Sequence, residues 1–226
     1  MGMELCDSII IIIIIFFFFF CNKTSTSITI LLVYVNDILL TGGDSLYIST
    51  LIQQMHAKFS MKELGALNYF LGISVSSSFS SSSSYVLSQE KYASDILAKA
   101  NMSDCKFYAS LMAIKDVLSV GTDSLFFQSS FYRSLVGAPQ YLTIIQPDHS
   151  FSVNHPCQFL QNPLQSHFTT LKRLLRYVKG TLSHGLHFTN GPLVLNAFSN
   201  SYWASNIIDK RSTTGHCVFL GPNLVS

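Results

Sequence analysis

The order of apolar and polar positions predicts a tight hairpin near the N-terminal end of the chain. Residues 28–35 form an apolar, largely β-branched run, Asn36 and Asp37 follow, and residues 38–40 are apolar again. Asn and Asp both tolerate positive φ, so an Asn-Asp pair between two apolar runs is typical of a two-residue turn. The sequence therefore predicts two antiparallel strands joined at Asn36 and Asp37.

Further apolar runs predict additional strands. Residues 67–75 are typical of one strand, and the serine-rich stretch 74–84 predicts a flexible loop leading to a short strand at 85–87. Residues 193–199 and 216–220 predict two more strands close to the C-terminal end.

Between these runs the apolar positions take the period of a helix. Asp44 is placed to cap a helix of about 14 residues, and Ser88 to cap one that ends at Ala100. A helical pattern begins at Ser129, but Pro139 should interrupt it, because a proline inside a helix costs ~3 kcal/mol or more. The Asp44-capped helix has an apolar side formed by Leu46, Ile48, Leu51, Ile52, Met55 and Phe59.

Residues 166–179 are the clearest amphipathic helix of the chain, and Gly180 should end it. Helices that alternate with hairpins and strands predict an α+β fold. The buried stripe of this helix consists of Phe168, Leu171, Leu174, Leu175 and Val178.

Composition excludes several classes of protein. The chain has 226 residues, 48% of them apolar and only 12% charged, against about 25% in ordinary soluble domains. A disordered charged tail is excluded by this apolar content, and a formal net charge of +2 excludes a strongly basic DNA-coating protein. The five cysteines are odd in number and form no C-x-x-C pair, so we expect a reducing compartment and neither a disulfide framework nor a zinc finger.

Residues 1–27 form a low-complexity leader in which seven isoleucines precede five phenylalanines. The apolar run of about 13 residues is shorter than the ~20 that a membrane-spanning helix needs. No basic residue precedes it and no small-residue cleavage site follows, so the chain is not expected to be secreted. Two interpretations stay open: an expanded repeat with a tendency to β-aggregation, and a membrane-associated segment.

From residue 28 onward the chain resembles the Pol polyprotein of copia-type LTR retrotransposons. The collinear stretches that carry this resemblance are LLVYVNDILLTG at 31–42, FSMKELG at 59–65, NYFLGI at 68–73, LSQEKY at 87–92, YRSLVG at 132–137, LKRLLRYVKGT at 171–181 and RSTTG at 211–215. The resemblance implies a partial reverse transcriptase palm at 28–112, a helical thumb or connection region at 113–190, and the opening strands of an RNase H domain at 191–226. It also implies a cytoplasmic or nuclear location.

The family's polymerase reaction uses two Mg²⁺ or Mn²⁺ ions held by carboxylates, two of them in a Tyr-x-Asp-Asp hairpin turn. Here the turn reads Tyr34-Val35-Asn36-Asp37, so the resemblance implies that Asp37 is the remaining metal ligand and catalytic acid. Asn36 marks a position where the acid has become a neutral amide. The family's third aspartate lies on an earlier strand, which we expect to precede this chain, leaving the hairpin without a sheet neighbour. The resemblance therefore implies a reverse transcriptase fragment that binds the metals unproductively and is catalytically inactive.

The expected RNase H strand has lost its acids as well. The family pattern Ser-Asp-x-Asp-Trp-Ala reads SNSYWA at 199–204, and Asn200 stands where the first metal-binding aspartate belongs. Two departures occur in the connection region: Pro139 stands where the family has leucine, and Gln146 replaces an arginine.

Basic residues on the 166–179 helix form the candidate nucleic-acid surface, with Lys172, Arg176 and Lys179 on one stripe and Arg173 beside them. The implied partner is an RNA/DNA primer–template, and a complementing polymerase fragment is a second implied partner. The alternatives to a reverse transcriptase fragment are a non-enzymatic RNA- or DNA-binding remnant that uses this helix, and a membrane-associated protein that uses the Ile/Phe run.

Overall fold

The structure is a computed structural model that describes residues 18–78, 84–112, 123–203, 210 and 212–226. In this part of the chain the strands are β1 (Phe18–Lys23), β2 (Ile28–Tyr34), β3 (Asp37–Gly42), β4 (Tyr69–Phe70), β5 (Ile73–Ser78), β6 (Ser84–Ser88), β7 (Gly185–Thr189), β8 (Leu195–Tyr202), β9 (Thr213–Leu220) and β10 (Asn223–Leu224). The α-helices are α1 (Ser45–Lys58), α2 (Glu90–Lys99), α3 (Ser129–Leu142), α4 (Ser150–Cys157) and α5 (Gln165–Gly180), and a short 3-10 helix covers Pro147–His149. This mixture of small sheets and helices is an α+β fold.

The chain divides into two compact units. Of the described residues, those up to 70, in 75–86 and in 187–226 form the first unit, and those in 71–74 and 87–186 form the second. The sheets have the strand orders β1-β2-β3, β4-β5-β6-β7 and β10-β9-β8. No helix within the described ranges is long and apolar enough to cross a membrane.

The predicted N-terminal hairpin is confirmed, but its turn lies one residue earlier than predicted. Tyr34 pairs with Asp37, so the turn consists of Val35 and Asn36, and Asp37 begins β3. Val35 has a φ of 48°, a conformation that β-branched residues rarely adopt. The prediction placed the turn by residue preference, whereas the pairing register of the two apolar strands determines where the chain reverses.

The hairpin also has a sheet neighbour, contrary to expectation. Phe18–Lys23, the end of the low-complexity leader, forms β1 and pairs antiparallel with β2, so that Phe19 lies opposite Leu32 and Cys21 opposite Ile30. Phenylalanine has a high strand propensity, and Leu32 is fully buried in this sheet. Residues 9–17 of the Ile/Phe run lie outside the described residues.

The cap of α1 is confirmed, but the burial of its apolar side is not. The Asp44 carboxylate accepts hydrogen bonds from the backbone N–H groups of Leu46 and Tyr47, both at 3.0 Å. None of the helix's residues is buried, and Leu46 is largely exposed. The apolar period of this segment therefore predicted the helix correctly, but it did not predict that the apolar side of the helix stays unburied.

Several boundaries differ from those predicted from the sequence, among them those of β8 and β9, and two of the differences have a clear cause in strand pairing. The single strand expected at 67–75 is divided into β4 and β5 by a turn at Leu71 and Gly72, both of which have positive φ. Ser88 is the last residue of β6 and does not cap α2, whose N-cap is Gln89 without a side-chain hydrogen bond. In the first case a turn interrupts a segment whose residues all favour a strand. In the second case strand pairing extends β6 to a residue that local preference assigns to the start of a helix.

Helix α3 continues through Pro139, although an interruption was predicted there. Pro139 is buried, together with Leu135, Val136 and Leu142 of the same helix. The proline removes one backbone N–H, which costs about 3 kcal/mol, but burial of each large apolar side chain contributes about 1.5–3 kcal/mol. Packing of this face therefore outweighs the local cost of the proline.

The core of the second unit is formed by one face each of α2, α3, α4 and α5. Its central helix, α5, extends one residue beyond the predicted 166–179 at both ends, and Gly180 is its last residue. The buried residues of this core are Ala93, Ile96, Leu97, Met102, Tyr132, Leu135, Val136, Leu142, Val153, Leu171, Leu174, Leu175 and Val178. Phe168, the remaining member of the predicted stripe, packs against this core while staying partly exposed.

Removal of a core side chain should destabilise this unit far more than removal of an exposed one. Leu174→Ala should lower the free energy of unfolding by about 2–5 kcal/mol, because the side chain is 1% exposed and a cavity remains. The matched change Leu125→Ala, at a side chain that is 60% exposed, should cost less than about 0.5 kcal/mol. Urea unfolding followed by circular dichroism measures both, and equal effects would contradict the described core.

Candidate catalytic hairpin and nucleic-acid interface

In the hairpin that the family resemblance implies to be catalytic, Asn36 and Asp37 lie at the tip of the β2–β3 pair. Asp37 is exposed at the first position of β3, directly opposite Tyr34, and Asn36 is exposed in the turn. Val35, between Tyr34 and Asn36, is 80% exposed and carries the positive φ. Strained backbone of this kind persists when the surrounding pairing fixes it. The hairpin thus keeps an ordered turn, with one carboxylate at its tip.

This donor set does not fit a two-metal centre. Asp37 offers one carboxylate, whereas Asn36 offers a neutral amide oxygen. No group of three or more His, Cys, Asp or Glu side chains that could hold a metal ion occurs among the described residues. Two divalent ions a few ångströms apart repel each other strongly, and several carboxylates normally compensate that charge.

The residue expected at the RNase H position lies on a strand that is exposed along its whole length. Asn200 is in β8 and pairs with Gly215 of β9. Beside it, the Thr214 hydroxyl donates to Ser201 Oγ at 3.3 Å. Asn200 therefore contributes an uncharged amide to an exposed β-ribbon. Residues 204–209, which include the end of the expected RNase H motif, are outside the described part of the chain.

The four basic residues predicted to bind nucleic acid all lie on the face of α5 that points away from the core. At about 100° per residue they occupy an arc of roughly 120°, and none of them is fully buried. Lys172 Nζ lies 4.6 Å from the centre of the Phe168 ring, and Lys179 is in the last turn of the helix. None of the four forms an ion pair with a residue in the described ranges.

Tyr108 is a member of this surface that the sequence did not predict. The guanidinium carbons of Arg173 and Arg176 each lie 5.1 Å from the centre of its ring. The backbone N–H of Tyr108 donates to the Arg176 carbonyl at 3.2 Å, and an Arg173 Nη2 N–H donates to Ser110 Oγ. Sequence separation explains the omission, since Ser110 and Arg173 are 63 positions apart.

A second cluster surrounds His149, whose ring is fully buried and whose two nitrogens have no hydrogen-bond partner among the described residues. Its Nε2 lies 3.7 Å from Oδ2 of Asp148, and the Tyr177 hydroxyl donates to that same oxygen at 2.9 Å. Burial lowers the pKa of His149; the Asp148 carboxylate acts in the opposite direction and His184 in the same direction.

Gln146 precedes the 3-10 helix that contains His149 and is also buried. Its Nε2 donates to the carbonyls of Thr181 at 2.7 Å and His184 at 3.1 Å. The amide thus ties the end of α5 to the segment before the 3-10 helix without placing a charge in the interior.

Comparison with known proteins identifies the family of the chain. The model of the family described as reverse transcriptase (RNA-dependent DNA polymerase) matches residues 14–113. An uncharacterized mitochondrial protein of Arabidopsis thaliana is 47% identical over 197 residues, which are 87% of this chain and 80% of that protein. The retrovirus-related Pol polyproteins from transposon RE2 of Arabidopsis thaliana and transposon TNT 1-94 of Nicotiana tabacum are 38% and 30% identical over 88% and 83% of this chain. No solved structure matches.

These findings establish the class as reverse transcriptase-like. The chain belongs to the family of copia-type retrotransposon Pol polyproteins. It spans 14% of the length of each of the two Pol polyproteins and corresponds to a reverse transcriptase-like portion of them.

Protonation of His149 should destabilise the fold. Its pKa in the folded chain lies below the value of about 6.5 in the unfolded chain, so the unfolded state binds more protons as the pH falls through 6.5. The free energy of unfolding should fall by up to about 1.4 kcal/mol per pH unit below that point.

The variant His149→Phe should flatten this part of the stability profile, because it removes the titrating ring and keeps an aromatic edge against Tyr177. His187→Phe, at an exposed position of β7, is the matched control and should keep the native pH dependence. Urea unfolding at several pH values from about 5 to about 7.5 gives the stability profile of both variants on either side of the reference histidine pKa of about 6.5. A native profile in His149→Phe would contradict this prediction.

Proposed function

We propose that this chain is a reverse transcriptase fragment that binds an RNA–DNA primer–template through the basic face of α5 and does not extend the primer. The observation that carries the proposal is the set of four basic residues on one helix face without ion pairs among the described residues. A surface lysine or arginine without a carboxylate partner attracts phosphate oxygens through long-range electrostatics.

The geometry of α5 supports contact with a nucleic-acid backbone. Its apolar side is buried, so the helix is held rigidly, while the four basic side chains on the opposite side stay partly exposed. Four cations along about 10.5 Å of helix, at about 1.5 Å rise per residue, match a polyanion better than a compact anion. Binding of this kind is independent of base sequence and sensitive to salt.

The absence of primer extension follows from the proposed loss of charge at the hairpin. Asp37 is one carboxylate at an exposed tip, and the neighbouring Asn36 adds no negative charge. We infer that this pair holds a divalent ion weakly at most and does not assemble the two-ion centre that nucleotide addition requires.

Removal of the four basic side chains should abolish most of the salt dependence of hybrid binding. The variant with Lys172, Arg173, Arg176 and Lys179 changed to Ala should lower the magnitude of the slope of log K against log salt by about one for each lost phosphate contact. Fluorescence anisotropy with a labelled RNA–DNA hybrid measures this slope.

A variant with the same change in net charge serves as the control. Changing Lys23, Lys58, Lys62 and Lys99 to Ala removes four exposed lysines that lie outside α5. This control should bind the hybrid with nearly the native slope. If both variants lose the same slope, the binding reflects net charge alone and the assignment to α5 is wrong.

Primer extension tests the catalytic part of the proposal. The native chain, Asn36→Asp and Asp37→Ala should all fail to extend a DNA primer on an RNA template with Mg²⁺ or Mn²⁺, because restoring one acid at the turn still leaves the set incomplete. Extension by the native chain that Asp37→Ala abolishes would contradict the proposal.

A further inference from the structure

We propose that Tyr108, Arg173 and Arg176 together form a phosphate-binding site, in which the tyrosine ring holds two guanidinium groups in place for a phosphodiester of bound nucleic acid. The site rests on the proposed function, and it specifies which part of the α5 surface contacts the backbone most closely. Lys172 and Lys179 then extend the same surface as unspecific point charges.

The segment that carries Tyr108 is fixed to α5 at several points. Its backbone N–H bonds to the carbonyl of Arg176, and Ser110 accepts a hydrogen bond from Arg173. Next to it, the ring of Phe107 lies against Gly180, where an added Cβ would meet ring atoms at 3.3 Å. The position of the Tyr108 ring is therefore determined by the backbone as well as by its own contacts.

Both arginines use this ring as a common support. Each guanidinium carbon is 5.1 Å from the ring centre, within the range of a cation–π interaction. The Nε atoms of both arginines are buried and have no hydrogen-bond partner in the described part of the chain. Because the Nε groups are buried and Arg173 Nη2 already donates to Ser110 Oγ, the remaining terminal N–H groups are the donors for a ligand.

The two guanidinium groups carry like charges beside one ring, and neither forms an ion pair with a described residue. This arrangement favours the binding of an anion. An anion placed between them is attracted by both guanidinium groups and reduces their mutual repulsion. Phosphate suits this arrangement because its oxygens accept bidentate hydrogen bonds from the planar guanidinium fork.

The exposed part of the tyrosine ring favours nucleic acid over a free phosphate. Tyr108 is 43% exposed, so aromatic surface remains beside the two guanidinium groups. Bases and riboses stack on such surfaces with little dependence on sequence. A phosphodiester at the arginines would place its own nucleoside next to this ring.

Tyr108 is accordingly a positioning residue for the arginines. Tyr108→Leu should weaken hybrid binding about tenfold, because the arginines lose their support and must be ordered by the ligand. Tyr108→Phe keeps the ring and should bind within about twofold of the native chain. The double change of Arg173 and Arg176 to Lys keeps the charge and should weaken binding about as much as Tyr108→Leu.

A double-mutant cycle separates this role from general destabilisation. The effects of Tyr108→Leu and Arg173→Ala should be far from additive, whereas those of Tyr108→Leu and Lys179→Ala should add. Urea unfolding of each variant accompanies the binding measurements, and Tyr108→Phe provides a folded reference should Tyr108→Leu unfold. Additive effects in both pairs, or native binding by Tyr108→Leu, would overturn the proposal.

Titration with pyrophosphate tests the site independently of hybrid binding. In ¹H–¹⁵N NMR spectra, the Arg173 and Arg176 side-chain resonances should shift with pyrophosphate in the native chain and in Tyr108→Phe, but not in Tyr108→Leu. If these shifts occur while the native chain binds no hybrid, the phosphate site stands and the proposed function is wrong. If the four-alanine variant loses hybrid binding while Tyr108→Leu keeps both readouts, the proposed function stands and the site is wrong.

Discussion

Burial of one face of α5 is the interaction on which the second unit depends. Leu171, Leu174, Leu175 and Val178 are almost completely buried against α2, α3 and α4, and together contribute several kcal/mol. Because a helix has a fixed period, burial of this stripe also determines which residues face solvent. The basic face is therefore oriented by the core, and no ion pair with the described residues is needed to hold it there.

In the hairpin, too, the residues that hold the fold differ from the residues that could carry out chemistry. The pairing of β2 with β1 and β3 and the burial of Leu32 fix the strands, while Asp37 lies at an exposed tip. The strand pairing therefore does not depend on whether an acid or an amide stands at the exposed position of Asn36. That choice changes the negative charge that the tip offers to cations.

Sequence patterns predicted most closely the elements in which local period and tertiary packing agree. The α5 helix lies within one residue of its predicted ends because its apolar stripe is also its core contact. The turn at Val35 and Pro139 inside α3 were predicted incorrectly, because strand register and core packing outweigh local preference there. The α4 helix was not predicted, and Tyr108 escaped prediction because its partners are distant in sequence. No local period reports a contact between Tyr108 and two arginines on a later helix.

Gln146 and Asn36 are two places where a neutral amide stands at a position that the family resemblance assigns to a charged residue, with opposite consequences. In the interior, the Gln146 amide donates to two carbonyls, and a guanidinium at this buried position would place a positive charge in the interior. At the exposed hairpin tip, the Asn36 amide adds no negative charge that could attract a cation. The partly exposed basic residues of α5 keep their positive charge and form no ion pair with the described residues. A chain with these properties would attract a polyanion while lacking a carboxylate set for metal ions, which is the combination that the proposed function requires.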